Sequence, residues 1–299
     1  MKTVTVFTPT YNRAYCLGRL YESMKRQTCD DFEWLIIDDG STDNTESLVQ
    51  VWQLEDAVSI RYVKQENQGM HGAHNTAYEQ ITTELNVCID SDDYLSDRAI
   101  EMITSFWDKN GSNEVSGFVA LDAYSDDTII GTKLPTELSR SNLFDLYNKH
   151  GVRGDKKLVY RSILTTQFPY PIFPDERYVG LAYKYYKLDE QYPLLLLNEV
   201  LCIVEYMEDG SSRNMLKQYV RNPKGFTFYR KALMESPLCG LSYKFRQAIH
   251  YVSSSILSRN KQWLKDSPMK WMTLLAVPPG VLLYCFIAFK TRKEETLWG

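Results

Sequence analysis

Three carboxylates, Asp90, Asp92 and Asp93, follow directly on the apolar run Val87, Cys88 and Ile89, and helical spacing of apolar side chains begins a few residues later. The acids therefore sit at the C-terminal end of a strand, the edge of an open α/β sheet where ligands bind. Hard oxygen donors gathered at one point could hold a cation. The plain alternative is a solvated turn, with Ser96 and Asp97 capping the next helix. A calcium-binding helix–loop–helix would need Gly at position 95, which is Leu95, and an aspartyl-phosphatase motif would need Thr or Val at position 94, which is Tyr94. No phosphate-binding P-loop and no G-x-G-x-x-G occurs, so ATP hydrolysis and NAD chemistry have no support. His71 and His74 have a spacing that could ligate a metal, but no third nitrogen or thiolate is near in sequence.

The elements that must position these residues alternate strictly. Strands are expected at 4–8, 33–37, 60–63 and 85–89, and helices at 14–26, 44–52, 71–81 and 97–107. The helices carry one apolar stripe, as with Leu17, Leu20, Tyr21 and Met24, and the strands are apolar on both faces. That predicts an α/β fold, a Rossmann-like, mostly parallel sheet with helices on both faces. From about Val115 the alternation loosens into a strand at 117–124 and loops rich in proline and aromatics. After Gly210 the pattern is helical, with Leu241, Phe245, Ile249, Val252 and Ile256 tracing one face. The expected division is residues 1–112, 113–215 and 216–299.

The chain has 299 residues and a net charge of −4, with the composition of an ordinary globular protein. Its six cysteines show no metal-ligand spacing and read as reduced core residues. At the N-terminus Pro9 and Arg13 interrupt any signal-like run, which reads against export and for the cytoplasm. Residues 257–299 carry +4, leaving −8 for the rest, so an anionic surface is the expected partner and nucleic acid is not.

Four motifs fall at strand ends: TPTYNR, IIDDGSTDNT, QENQGMHGAHN and IDSDD. In this order they resemble the nucleotide-sugar-binding half of family 2 glycosyltransferases of bacterial polysaccharide biosynthesis, which have the GT-A fold. The resemblance is strong over 4–124 and looser over 153–212. It implies an inverting transfer from a nucleoside-diphosphate sugar, uridine-linked by expectation, to a glycan or lipid-linked acceptor. The domains become the nucleotide-sugar half (1–112), the acceptor half (113–215) and a helical extension (216–299). By resemblance Thr8, Pro9, Tyr11 and Arg13 line the base pocket, Asp39 accepts a hydrogen bond from the base, and Asp38 supports it. Gly69, His74 and Asn75 count among the nucleotide-sugar-binding residues, with His74 near the position of a basic residue that can approach the diphosphate. Asp90 contacts the ribose or the metal shell, Ser91 counts among the nucleotide-sugar-binding residues, Asp90 and Asp92 hold Mg2+ or Mn2+, and Asp93 caps or orients.

The acid that takes the proton from the acceptor is expected shortly before the aromatic helix at 182–188, where this chain has Leu181. Glu176 and then Asp175 are the nearest substitutes, and Arg153, Asp155 and Lys156 form the acceptor side. The departure keeps open a non-catalytic protein that binds nucleotide sugar or a partner without turnover. Residues 271–289 are uncharged, and Pro278, Pro279 and Gly280 divide them into halves of about nine residues, each too short to span a ~30 Å hydrocarbon core. Basic flanks at Lys270, Lys290, Arg292 and Lys293 make a pair of short helices on the inner face of a membrane the expectation. The alternative is a hairpin packed on the catalytic domain or on a second copy of the chain.

Overall fold

A computed structural model describes residues 2–205, 207 and 215–298, with side chains as far as Thr291. The side chains of Arg292 and Lys293, and the start of the helical pattern near Gly210, lie outside the described residues. In chain order the elements are β1 (Val4–Thr10), α1 (Ala14–Lys25), β2 (Phe32–Asp38), α2 (Thr45–Glu55), β3 (Ile60–Lys64), α3 (Met70–Gln80), β4 (Leu85–Cys88), β5 (Tyr94–Leu95), α4 (Ala99–Asn110) and β6 (Gly117–Ala123). There follow β7 (Arg140–Ser141), α5 (Leu143–Asn148), β8 (Lys156–Arg161), α6 (Ser162–Thr165), α7 (Ala182–Asp189) and β9 (Leu194–Ile203). The remaining helices are α8 (Met215–Arg221), α9 (Pro223–Glu235), α10 (Leu241–Leu257), α11 (Trp263–Asp266), α12 (Lys270–Leu275) and α13 (Val277–Trp298).

Strand β1 is buried along its whole length because helices cover both faces of the sheet, so each face must be filled. On one side Trp34 and Trp52 stack with Tyr21, at centroid distances of 4.4 Å for Tyr21–Trp52 and 5.9 Å for Trp34–Trp52. On the other, Phe7 meets His74 and Tyr78 edge to face at 5.1 and 5.3 Å. The sheet runs β3-β2-β1-β4-β8-β6-β9-β5, with β7 beside β9. Strands β3, β2, β1 and β4 are parallel, β8 runs antiparallel between β4 and β6, and β6 pairs parallel with β9. The chain winds outward from β1 to β3 and returns to β4 on the other flank of β1. The loops after β1 and β4 therefore part and open a crevice, the switch point where α/β sheets bind ligands.

The chain divides into two compact units, one of residues 1–169 and 184–207, the other of 170–183 and 208–299. The first holds the whole sheet, including the strands on both sides of residue 112. Helix α4 begins at Ala99, two residues after the expected start, and no side chain caps it. Asp97 instead pairs with Arg26 at 2.9 Å, and Ser96 donates to the Val200 carbonyl at 2.8 Å.

In the second unit two expectations need correction. Helix α10 buries Gln247, Ala248, Tyr251, Val252 and Ser253 to Ser255, while Leu241 is 70 % exposed and Phe245 and Ile256 also face outward. The face that packs is centred on Ala248, Tyr251 and Val252, so of the expected stripe Val252 is buried and Ile249 packs beside it. The apolar segment is not divided into equal halves either. Pro278 and Pro279 lie in the first turn of α13, where a missing N–H costs no hydrogen bond, and they start a helix of 22 residues. Among the described residues no helix is long and apolar enough to cross a membrane.

Candidate functional site

The crevice is built from loops that hold one another. After β1 the backbone turns at Asn12 with φ 54°, a left-handed conformation that asparagine tolerates better than most residues. Asn12 Oδ1 accepts from the backbone N–H of Thr42 at 2.7 Å and of Asp43 at 3.3 Å, and its own N–H donates to Ser41 Oγ at 2.9 Å. Asp43 accepts in turn from Ala14 N at the start of α1. Burial alone would raise the Asp43 carboxyl, but hydrogen bonds from Thr45 and Ala14 outweigh it and hold the group below its usual range. Asn12 is a residue the sequence reading missed, although it lies inside the TPTYNR motif.

The two acids at the end of β2 are both engaged. Asp38 Oδ1 accepts from Ser41 N at 2.7 Å, and Oδ2 accepts from the Tyr62 hydroxyl. Asp39 Oδ1 accepts from Gln65 Nε2 at 2.7 Å and Gln68 N at 2.9 Å, and Oδ2 accepts from Gly69 N at 2.8 Å. Gly69 holds φ 83° immediately before α3, so a side chain there would strain the turn that aims this N–H. The Asp39 charge thus lies at the positive end of α3.

Across the crevice, Asp93 N donates to Asp90 O at 3.0 Å, folding the acid loop back on itself. Ser91 and Asp93 are buried, Asp90 and Asp92 half-buried. Arg13 Nη1 approaches Asp92 Oδ2 at 3.9 Å, which brings the TPTYNR loop to the acid loop, while Tyr11 is 48 % exposed. The loop does not end in water as a plain turn would. Beneath it Lys157 is buried, 3.9 Å from Asp122 Oδ1. Burial would lower the Lys157 ammonium, but Asp122, Cys202, Asp93 and Asp90 hold it well above its usual value, so it stays charged. Burial also raises Asp93, with Lys157 opposing and Asp90 and Asp92 adding to the rise. Among the described residues no group of three or more His, Cys, Asp or Glu side chains converges as a metal site.

Other expected site residues are placed differently. Thr8 Oγ1 accepts from the Trp34 indole N–H at 2.9 Å and so turns into the core, as does the buried Pro9 beside it. His74 is buried against Phe7, 3.2 Å from the Tyr78 hydroxyl and 3.7 Å from Cys88 Sγ. Burial, then Lys184 and His71, push its pKa down to about 3, so it is neutral and cannot supply the expected positive charge. Asn75, one residue on, is half-buried. Lys156 does not face an acceptor: its ammonium donates to the carbonyls of Ile130, Arg153 and Asp155 at 2.8, 2.9 and 3.0 Å, which uses all three donors. Arg153 and Asp155 are exposed.

The substitutes for the missing acid belong to the second unit. Glu176 is 3 % exposed and caps α9, Oε1 accepting from Lys224 N and Oε2 from Gly225 N, each at 2.8 Å. The docking is tight because Gly225 has no side chain; a Cβ there would lie 2.1 Å from the Tyr178 carbonyl oxygen. Asp175 forms a 2.6 Å ion pair with Lys224. Both carboxylates therefore have structural partners.

A family model described as Glycosyl transferase family 2 matches residues 5–166. The chain is 33 % identical over 119 residues to the poly(ribitol-phosphate) beta-N-acetylglucosaminyltransferase TarP of Staphylococcus aureus (strain N315), covering 39 % of this chain and 36 % of that protein. It is also 33 % identical over 105 residues to a GalNAc(5)-diNAcBac-PP-undecaprenol beta-1,3-glucosyltransferase of Campylobacter jejuni, over 34 % of each. These matches span about a third of the curated relatives' own length. Among solved structures, residues 1–349 of S. aureus TarS superpose with a TM-score of 0.63 at 15 % identity, covering 98 % of this chain and 92 % of that one. A mannosyltransferase of Pyrobaculum calidifontis, solved with GDP-Man and Mn2+, gives 0.52 at 18 % identity, covering 99 % and 82 %. These likenesses establish the GT-A architecture, and the family match, which takes in more than half of the residues, gives the conclusion that the chain belongs to glycosyl transferase family 2.

Proposed function

We propose that the chain transfers a sugar from a uridine-diphosphate sugar to an acceptor hydroxyl with inversion, and that the acceptor is a lipid-linked oligosaccharide in bacterial surface-glycan assembly. The observation that carries this reading is the approach of Arg13 to Asp92, which puts the expected base-binding and diphosphate-binding loops on one crevice. The names of two similar proteins support it: TarS has been solved with UDP-GlcNAc, and the Campylobacter enzyme is named for an undecaprenol-linked acceptor.

Each residue has a distinct task. Tyr11 offers an exposed ring to the base. Asp39, fixed at the crevice by Gln65, Gln68 N and Gly69 N, is the residue assigned the hydrogen bond from the base. Asp38, held by Ser41 and Tyr62, keeps the loop in place. Asp90 and Asp92 are the oxygen donors that would hold Mg2+ or Mn2+, the hard ligand type such ions prefer. A bound cation there supplies stabilisation of the charge that develops on the diphosphate. Arg13, already beside Asp92, is placed to pair with a diphosphate oxygen instead, and Ser91 and Asn75 offer neutral hydrogen bonds.

One observation favours a second reading, a GT-A protein that binds donor without turnover. Position 181 is leucine, and Glu176 and Asp175 are engaged at the start of α9. Thermal shift against nucleoside diphosphates and their sugars, with and without Mn2+, tests donor binding, because a ligand selective for the native state raises the melting temperature. A uridine-specific, Mn2+-dependent shift is expected, and no shift with any nucleotide defeats both readings. Transfer to synthetic lipid-linked acceptors then separates them.

A further inference from the structure

The second compact unit contains a cavity of about 500 Å3. Small-molecule sites run from about 300 to 1,000 Å3. Its wall is mostly apolar, with Val252, Ile256, Trp263 and Val281, and the solvent-exposed Arg259 and Lys261 also line it. The shape is fixed by the chain reversal after α10. Arg259 takes a left-handed φ of 53°, Asn260 N donates back to Ser255 O at 3.0 Å, and the Tyr251 hydroxyl donates to Trp263 O at 2.7 Å. The neighbouring helices α12 and α13 leave Trp271, Leu275, Leu282 and Phe289 between 69 and 83 % exposed. Apolar side chains exposed at this density on one short segment mark an interaction surface.

We propose that this cavity takes one hydrocarbon chain of an anionic phospholipid, with the phosphate headgroup held by Arg259 and Lys261. The apolar wall alone would accept any hydrocarbon; the two cations lining it select a phosphate-bearing one. Charge also decides against a second copy of this chain as the occupant. Residues 257–299 carry +4, and pairing two such segments would bring like charges together. The proposal rests on the reading of 271–289 as membrane-facing and sharpens it from general adsorption to a site for one lipid.

Full-length protein is mixed with dihexanoyl phosphatidylglycerol below its micelle concentration, and bound lipid is counted by native mass spectrometry. Dihexanoyl phosphatidylcholine and glycerol 1-phosphate are the comparators. One phosphatidylglycerol per chain is expected, with each comparator weaker by about tenfold or more. Arg259→Glu with Lys261→Glu lowers binding by a similar factor, Val281→Trp fills the cavity and removes it, and Leu282→Ser, outside the wall, leaves it unchanged. Equal binding of glycerol 1-phosphate would mean that the cations bind free phosphate, and equal binding of phosphatidylcholine that charge plays no part; either overturns the proposal. So does retention of full affinity in both the charge-reversed and the filled variants, or a dimer that lipid does not dissociate. Thermal shift with uridine diphosphate on the same variants reads the donor crevice separately, so loss of lipid binding with the donor response intact counts against this cavity alone.

Discussion

Asp92 and Lys157 show what could and could not be read from neighbouring residues alone. The spacing of Asp90, Asp92 and Asp93 behind a strand marked the acid loop, because a run of charge after buried residues needs a reason. Lys157 carried no such mark. In sequence it looks like part of an exposed basic loop with Arg153 and Lys156, and only the pairing of β8 with β6, which sets Lys157 opposite Ala120, carries it in beside Asp122. Thr8, His74 and Lys156 were legible as polar residues near the site, but which way each side chain turns depends on partners far away in sequence. Asp92→Asn keeps the side chain's shape and removes its charge. Its affinity for uridine diphosphate in Mn2+ is expected to fall by at least about tenfold, with the melting temperature of the unliganded protein unchanged. Isothermal titration with and without EDTA measures this, and EDTA-sensitive binding at full strength would remove Asp92 from the cation site. Lys157→Met leaves Asp122 and Asp93 without their buried cation and should cost about 3–5 kcal/mol, as removing one partner of a buried pair does. Adding Asp122→Asn should recover part of that loss in a denaturant-melt double-mutant cycle.

At the scale of elements, the parallel half was readable because each short, continuous apolar run is followed by a stretch with apolar side chains at helical spacing. Of the half from β6 to β9, only β6 and α7 were. There the strands are short or separated by long loops, and β8 pairs antiparallel between strands distant in sequence. The loop before α7 illustrates the consequence. In sequence Glu176 is a carboxylate near a helix that could bear a base; in the fold it caps α9. Glu176→Gln turns one acceptor into a donor facing an N–H and should destabilise the protein by about 1–3 kcal/mol. A chemical-denaturation midpoint that does not move would refute the cap, and loss of turnover with unchanged stability would restore Glu176 as the base. The end of α7 makes a pH prediction. Asp189 is buried, accepts from Phe144 N at 2.8 Å, and burial pushes its pKa up to about 7. Since the unfolded carboxyl titrates near its ordinary value, the folded state holds the extra proton between about pH 4 and 7, and stability falls as pH rises through that window. The melting temperature of Asp189→Asn minus that of wild type should therefore grow from pH 5 to pH 8; a constant difference would show that Asp189 does not titrate with folding.

At the scale of the whole molecule, the acidic body and the basic last segment call for different partners. The body carries the donor crevice within the first unit. The segment after Leu257 carries exposed apolar side chains among lysines and arginines. Composition made the charge contrast legible, but the exposure of α10's apolar positions was hidden, because a helical stripe looks the same whether it faces a core or an outside partner. If this segment meets a membrane, two forces act together. Burying Leu275, Leu282 and Phe289 in the acyl boundary contributes about 1.5–3 kcal/mol each, and each nearby cation adds about 1 kcal/mol at an anionic surface, a part that salt screens. Full-length protein should thus co-sediment with phosphatidylglycerol vesicles at low salt, bind less in about 0.5 M salt, where the Debye length shrinks to a few ångströms, and bind phosphatidylcholine vesicles more weakly at either salt. Replacing Leu275, Leu282 and Phe289 together by serine should release it while leaving helix content and donor thermal shift intact, since these side chains are exposed and contribute little to the fold. If the triple variant sediments as wild type does, or full-length protein ignores anionic vesicles at low salt, the apolar face belongs to a protein partner, and the change in mass on dilution would then identify whether that partner is a second copy of the chain.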